Sequence, residues 1–164
     1  MKKLTILLES IDIYTEKNRV EFKDYLLLLN GVVEVDNLYD TNNSVLTSTI
    51  TYDNNIMKEG MLLLEIKTWL KKFRYPLIIS FDKHFDGKVN KKEFIKNVCC
   101  EFCFKIAVED LLLIDEIVKV DTNYIERYID NAHEEKNNDI LIIYYDASKF
   151  DSNKIDAIIK ALNI

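Results

Sequence analysis

Apolar and polar positions divide the chain into short segments of differing period. Leu4 to Glu9 reads as a short strand. Val20, Phe22, Tyr25, Leu26 and Leu29 fall near helical spacing, and Gly31 stands where a C-terminal helix cap would be. Val32 to Tyr39 and Val45 to Tyr52 read as two strands around the polar loop Asp40-Thr41-Asn42-Asn43, a hairpin signature. Ile56 to Phe73 has the clearest helical stripe, through Leu62, Ile66, Trp69, Leu70 and Phe73. Pro76 forbids its continuation, and Leu77 to Phe81 reads as a strand.

The second half admits more than one reading. Asn90 followed by Glu93 is an N-cap with a reciprocal partner, which predicts a short helix to about Cys99. From Glu101 the period changes: Phe102, Phe104, Ile106 and Val108 alternate with Cys103, Lys105, Ala107 and Glu109, which predicts a half-buried strand. One long helix over 90–114 is the alternative. Ile125, Tyr128, Ile129 and Ala132 mark a helix beginning near Thr122. Ile140 to Tyr145 is a solid apolar run, expected to be a central strand covered on both faces. Ile155, Ile158, Ile159 and Leu162 close the chain as a helix.

These elements predict an α+β fold, a mixed sheet with helices. The first half runs strand, helix, strand, strand, helix, strand, the order of a ferredoxin-like βαββαβ unit. Three glycines and one proline punctuate 164 residues, so a single domain over 1–164 is expected.

Composition narrows the function classes. Apolar residues make up 48% and charged residues 30%, as in an ordinary folded protein. No apolar run approaches the roughly 18 residues of a membrane span. The basic pair Lys2-Lys3 precedes an apolar run that stops at Glu9, too short for a signal-peptide core. Cys99, Cys100 and Cys103 are odd in number and confined to one segment, which fits buried thiols in a reducing compartment better than a disulfide framework. The expected location is therefore the cytoplasm. The net charge of −6, with only Arg19, Arg74 and Arg127 as arginines, argues against phosphate neutralisation and so against nucleic acid as partner. The Lys, Asn and Ile content is that of an AT-rich genome.

Residues Asp82 to Glu93 come nearest to a site motif. Asp82, Asp86, Asn90 and Glu93 stand at loop positions 1, 5, 9 and 12 of a calcium loop, with Gly87 at position 6 and Val89 at position 8. Over this loop and its immediate flanks the chain resembles the EF-hand family, and the resemblance implies a metal held by those four side chains. The sequence departs from the pattern at His84, where an oxygen ligand is needed, and at Pro76, within the span of the entering helix. Asp86-Gly87 also reads as a turn and Asn90/Glu93 as a capping pair.

Two apolar strands each end in an aspartate, Asp82 and Asp146. If those strands were parallel neighbours, the pair could hold a divalent metal for hydrolysis. Nucleophilic catalysis has little to draw on. His84 and His133 are the two histidines, and no phosphate loop, Gly-x-Ser-x-Gly elbow or His-Glu-x-x-His motif occurs. No cofactor is implied.

Acidic and tyrosine residues gather around the hairpin: Glu34, Asp36, Tyr39, Asp40, Tyr52 and Asp53. A second stretch holds Tyr124, Tyr128, Asp130, Glu134 and Glu135. Tyrosine gives contact area at low entropy cost, and carboxylates steer basic partners. By elimination, the sequence reads as a non-catalytic protein-binding module, a small acidic inhibitor such as a toxin-immunity protein or a phage or viral antagonist of a defence protein. Its partner would be a protein with a basic surface. The alternatives are a metal-dependent hydrolase at Asp82/Asp146 and a calcium-binding module at 82–93.

Overall fold

The computed structural model describes residues 1–9, 13, 15–73, 77–96, 101–122 and 139–162. The predicted helix through Ile125 and Ala132, the second tyrosine-acid stretch, and Cys99 and Cys100 lie outside them. Chain packing forms two compact units, Met1–Ile78 and Ile79–Ile164.

In the first unit, strand β1 (Lys2–Glu9), helix α1 (Glu16–Leu27), strands β2 (Val32–Asp40) and β3 (Val45–Tyr52) and helix α2 (Glu59–Leu70) follow in order. Strand β3 is central and pairs antiparallel with β1 on one side and β2 on the other. The alternation of each strand sets one face inward. Leu4, Ile6 and Leu8 of β1 and Leu46, Ile50 and Tyr52 of β3 are buried, while Thr5, Leu7, Thr47, Thr49 and Thr51 are half-buried on the other face. Helix α1 starts at Thr15, whose hydroxyl accepts from the Asn18 N–H at 3.3 Å. It buries Phe22 and Leu26, and α2 buries Leu62, Leu63, Ile66, Trp69 and Leu70. The two helices meet where the Phe22 and Trp69 rings lie 4.7 Å apart and where Tyr25 donates to Glu65. That hydrogen bond, then burial and the Glu65 charge, push the Tyr25 pKa up to about 12.

The hairpin loop forms as its sequence predicts. The Asp40 carboxylate accepts from the Asn42 and Asn43 N–H groups, and Ser44 takes the left-handed conformation at φ 54. Gly31 is not the helix cap. Helix α1 ends at Leu28 in right-handed geometry, and Gly31, at φ 95, makes the turn into β2 instead. A Cβ there would come within 3.0 Å of Ile56 and Met57, so glycine is needed for conformation and for space.

The second unit holds β4 (Leu77–Lys83), β5 (Val89–Lys96), helix α3 (Glu101–Leu112), β6 (Ile117–Thr122), β7 (Asp139–Asp146) and helix α4 (Ser152–Ala161). Its strands lie in the order β4-β6-β7-β5, and each described pairing is antiparallel. Phe81, Val120 and Ile143 form one cross-strand row of the core. The order of elements over the first half is strand, helix, strand, strand, helix, strand, and the class is α+β.

Two sequence expectations change here. Asn90 and Glu93 do not cap a helix: both lie in β5, which pairs residue for residue with β7 from Val89↔Asp146 to Lys96↔Asp139. A helix cap is worth only about 1 kcal/mol, so an eight-residue ladder against an apolar strand overrides it. Residues Phe102 to Glu109 are not a strand but lie in α3. There Ala107, Val108, Glu109, Leu111 and Leu112 are buried while Asp110 and, just past the helix end, Leu113, three apart, are exposed, so the exposed positions follow the helical spacing and not the alternation of a strand. Strand β7 is central, as expected, but it buries one face only. Leu141, Ile143 and Tyr145 point into the core, while Ile142 and Tyr144 are half-buried.

Candidate functional site

Strand β2 lies at an edge of its sheet and is nine residues long. Its side chains divide between two faces. In register with Thr51, Thr49, Thr47 and Val45 of β3 stand Glu34, Asp36, Leu38 and Asp40, all exposed, with Leu38 at 72%. In register with Ile50, Ser48 and Leu46 stand Val35, Asn37 and Tyr39, on the face that carries the helices. The acidic-tyrosine cluster read from the sequence is therefore not one surface. Glu34, Asp36 and Asp40 form a column on the open face around Leu38. Tyr39 is on the opposite face, half-buried. Tyr52 is fully buried and donates to Glu59 at 3.3 Å, which removes it from any partner surface. Asp53 holds the turn after β3, accepting from the Asn55 N–H at 2.9 Å.

The open face beside the acidic column is polar. Thr47, Thr49 and Thr51 run along β3, and the Thr5 and Thr49 hydroxyls are 3.1 Å apart. Among the described residues, Glu34 and Asp36 have no ion-pair partner. Asp40 is committed to its turn, where it also accepts from the Asn43 side chain at 2.7 Å.

The helix-side face of β2 borders a groove of about 290 Å³ lined by Glu16, Arg19, Val20, Lys23, Asn37, Tyr39 and Leu46. The Arg19 guanidinium lies 3.9 Å from the Tyr39 ring centroid, a cation–π stack, and donates to the Ile13 carbonyl at 3.3 Å. The Asn37 amide donates to the Arg19 carbonyl at 3.4 Å, tying strand to helix. Asn37 Oδ1 and Ser48 Oγ, on cross-strand neighbours, are buried with no hydrogen-bond partner among the described residues. Such orphaned groups cost about 1–3 kcal/mol each. Arg19, Lys23 and Asn37 went unread in the sequence. Arg19 and Lys23 are one helical turn apart, a spacing that puts both on one face, but nothing in the sequence said which strand that face meets.

The second unit separates the other candidates. Asp82 is the last residue but one of β4 and Asp146 ends β7, but β6 lies between those strands. Asp82 stands opposite Lys119, and Lys119 opposite Tyr144, so a lysine occupies the register position between the two carboxylate strands. Lys119 pairs with Asp121 at 3.0 Å. Burial alone would lower its pKa, but that hydrogen bond and the charges of Asp121 and Asp82 raise it. Asp146 is buried and accepts from the Ser148 hydroxyl at 2.6 Å and N–H at 2.8 Å, which holds its carboxyl below the usual range and fixes the turn after β7. Of the calcium-loop residues, Asp82 lies in β4 and Asn90 and Glu93 in β5, where an EF-hand has one loop between two helices. Asp82, Asp86, Asn90 and Glu93 are exposed, and Asp86 instead faces His84 at 3.3 Å. No group of three or more His, Cys, Asp or Glu residues among the described ones is placed to hold a metal. Among the described residues no helix is long and apolar enough to cross a membrane.

No family model matches the chain, and no curated protein does. Among solved structures it is similar to the N-terminal soluble domains of Bacillus subtilis CopA, at 11% identity over 98% of this chain and 89% of that one, with a TM-score of 0.36. A likeness that loose carries no argument about function.

Proposed function

We propose that the chain is a non-catalytic protein-binding module that holds a basic partner on the open face of its first sheet, masking that partner as an inhibitor would. The observation that carries this reading is the acidic column Glu34, Asp36 and Asp40 around the exposed Leu38 on an edge strand. A large exposed apolar side chain ringed by like charges suits a contact with an apolar centre and a charged rim. The carboxylates would speed encounter with a cationic surface, and Leu38 would slow its release.

The test is affinity capture from the source cell with the wild-type chain and with Glu34→Lys/Asp36→Lys, which leaves the Asp40 turn intact. A basic partner retained by the first and lost by the second, with association slowing as salt rises, supports the reading. Equal capture by both, or turnover of a substrate abolished by Asp82→Asn, overturns it.

A further inference from the structure

Strand β2 presents an outer edge with different chemistry above and below it. We infer that the partner docks by adding an extended segment to that edge as a further strand, and that the segment alternates basic with acidic side chains. The inference rests on the protein-binding reading above and specifies its mode and its chemistry.

An added strand would lie roughly 4.8 Å from β2 and take up its outward N–H and C=O groups, which no strand among the described residues pairs. Its side chains would then point to opposite faces in turn. Those on the open face would meet Glu34, Asp36, Leu38 and Asp40, an environment for lysine, arginine and one apolar residue. Those on the helix side would enter the groove between α1 and β2 and meet Arg19, Lys23, Asn37 and Tyr39. Arg19 and Lys23 against Glu16 leave the lining of that groove with one net positive charge in a chain whose net charge is −6, and Arg19 is already engaged on Tyr39. Glu16 also lines it, one turn before Arg19, so a carboxylate would settle towards Lys23.

Two further features fit this occupant. The wall from Glu16 to Lys23 is two helical turns, roughly 10 Å, enough for two side chains on one side of a strand. The groove has an aromatic wall at Tyr39 and a buried apolar floor at Leu46, which suit the stem of a glutamate. Addition of a strand to an exposed edge beside a helix is an established way to bind an extended peptide.

The probe is a synthetic, end-blocked peptide of about eight residues, the length of an ordinary strand, with lysine at odd positions and glutamate at even ones. Its control has the same composition arranged as a lysine block followed by a glutamate block. Titration is followed by backbone amide resonances and by hydrogen exchange. The alternating peptide is expected to bind at least roughly tenfold tighter than the control and to protect the outward amides of β2. Lys23→Ala and Arg19→Ala should each weaken it, and Lys23→Ala, on a half-exposed helix face, keeps the test independent of folding. Equal affinity for the two peptides, no binding of the alternating one at millimolar concentration, or protection of β5 in place of β2 overturns strand addition. If binding is lost in Glu34→Lys/Asp36→Lys but unmoved by Lys23→Ala, with β2 unprotected, the acidic-face reading stands and strand addition falls. If binding survives Glu34→Lys/Asp36→Lys, the acidic-face reading itself falls. Self-association in sedimentation that Lys23→Glu abolishes would assign the edge to a second copy and overturn a partner segment.

Discussion

Strands β2 and β5, each at an edge of its own unit's sheet, solve the same problem differently. Strand β5 carries Lys91, Lys92 and Lys96, the usual guard against stray pairing. Its helix-side face is clasped: Lys92 reaches α4, meeting Asp156 at 2.5 Å and the Ser152 hydroxyl at 2.7 Å. Strand β2 carries acidic residues on the open face only. Its helix-side face borders a groove, and Leu38 is left exposed in the middle of the strand. Charge alone therefore does not decide whether an edge is closed. Both strands are held by a helix, β2 through Asn37 and through Arg19 over Tyr39; what differs is that beside β2 a groove stays open towards Lys23.

The largest effect that would sharpen this contrast is loss of the floor under β2. Leu46 is fully buried, so Leu46→Ala should cost about 2–5 kcal/mol. Urea unfolding followed by Trp69 fluorescence measures it, since the only tryptophan lies in the same unit and is buried. A cost below about 1 kcal/mol would mean that the groove collapses onto the space left behind.

The clasp on β5 comes next. Lys92→Ala should cost up to about 1 kcal/mol, because the pair is partly exposed and screened. Hydrogen exchange along β5 should quicken at the same time. Lys23→Ala, in the open groove, should stay within about 0.5 kcal/mol of wild type. Equal costs for the two lysines would break the contrast.

A smaller, pH-dependent effect separates the turn after β7 from either edge. The Asp146 pKa is lowered by Ser148, so the stability it contributes is present at neutral pH and lost as pH falls through a value below the usual carboxylate range. The gap between wild type and Ser148→Ala should therefore narrow as the solution is acidified. A gap that stays constant with pH would show that Ser148 acts through something other than the Asp146 charge. Smallest of all, Glu34→Ala/Asp36→Ala should leave stability within about 0.5 kcal/mol, since both side chains are exposed. A larger loss would give the column a structural role.

Much of this was legible in the sequence, and unevenly so. The first unit was read well because β2 and β3 are bounded by Gly31 and by the Asp40 loop, and α2 carries a long stripe through Trp69. The second was misread where local signals compete with pairing. Asn90 and Glu93 offer a cap, but only β7 shows that they have a ladder to join. Phe102 to Leu112 satisfies two periods at once, and the burial of Leu111 and Leu112 decides for the helix. The acidic-tyrosine cluster was grouped by nearness along the chain. Its division was already present in the period of two: 34, 36, 38 and 40 share one face, while 39 takes the other. What no pattern could supply was that Arg19 lies over Tyr39, a contact made only once helix and strand are packed.

The register of β2 on β3 breaks between Val32 and Glu34, leaving Val33 bulged and 58% exposed. This irregularity works as a ruler. Regular backbone runs only from Glu34 to Asp40, where the turn begins. A guest strand therefore finds about 23 Å of straight template, with the kink as a stop at one end and the hairpin as a stop at the other. Longer segments would have to bend away, and shorter ones would leave carboxylates unmet. The bulge thus sets how long a segment this edge can select, whatever side chains that segment carries.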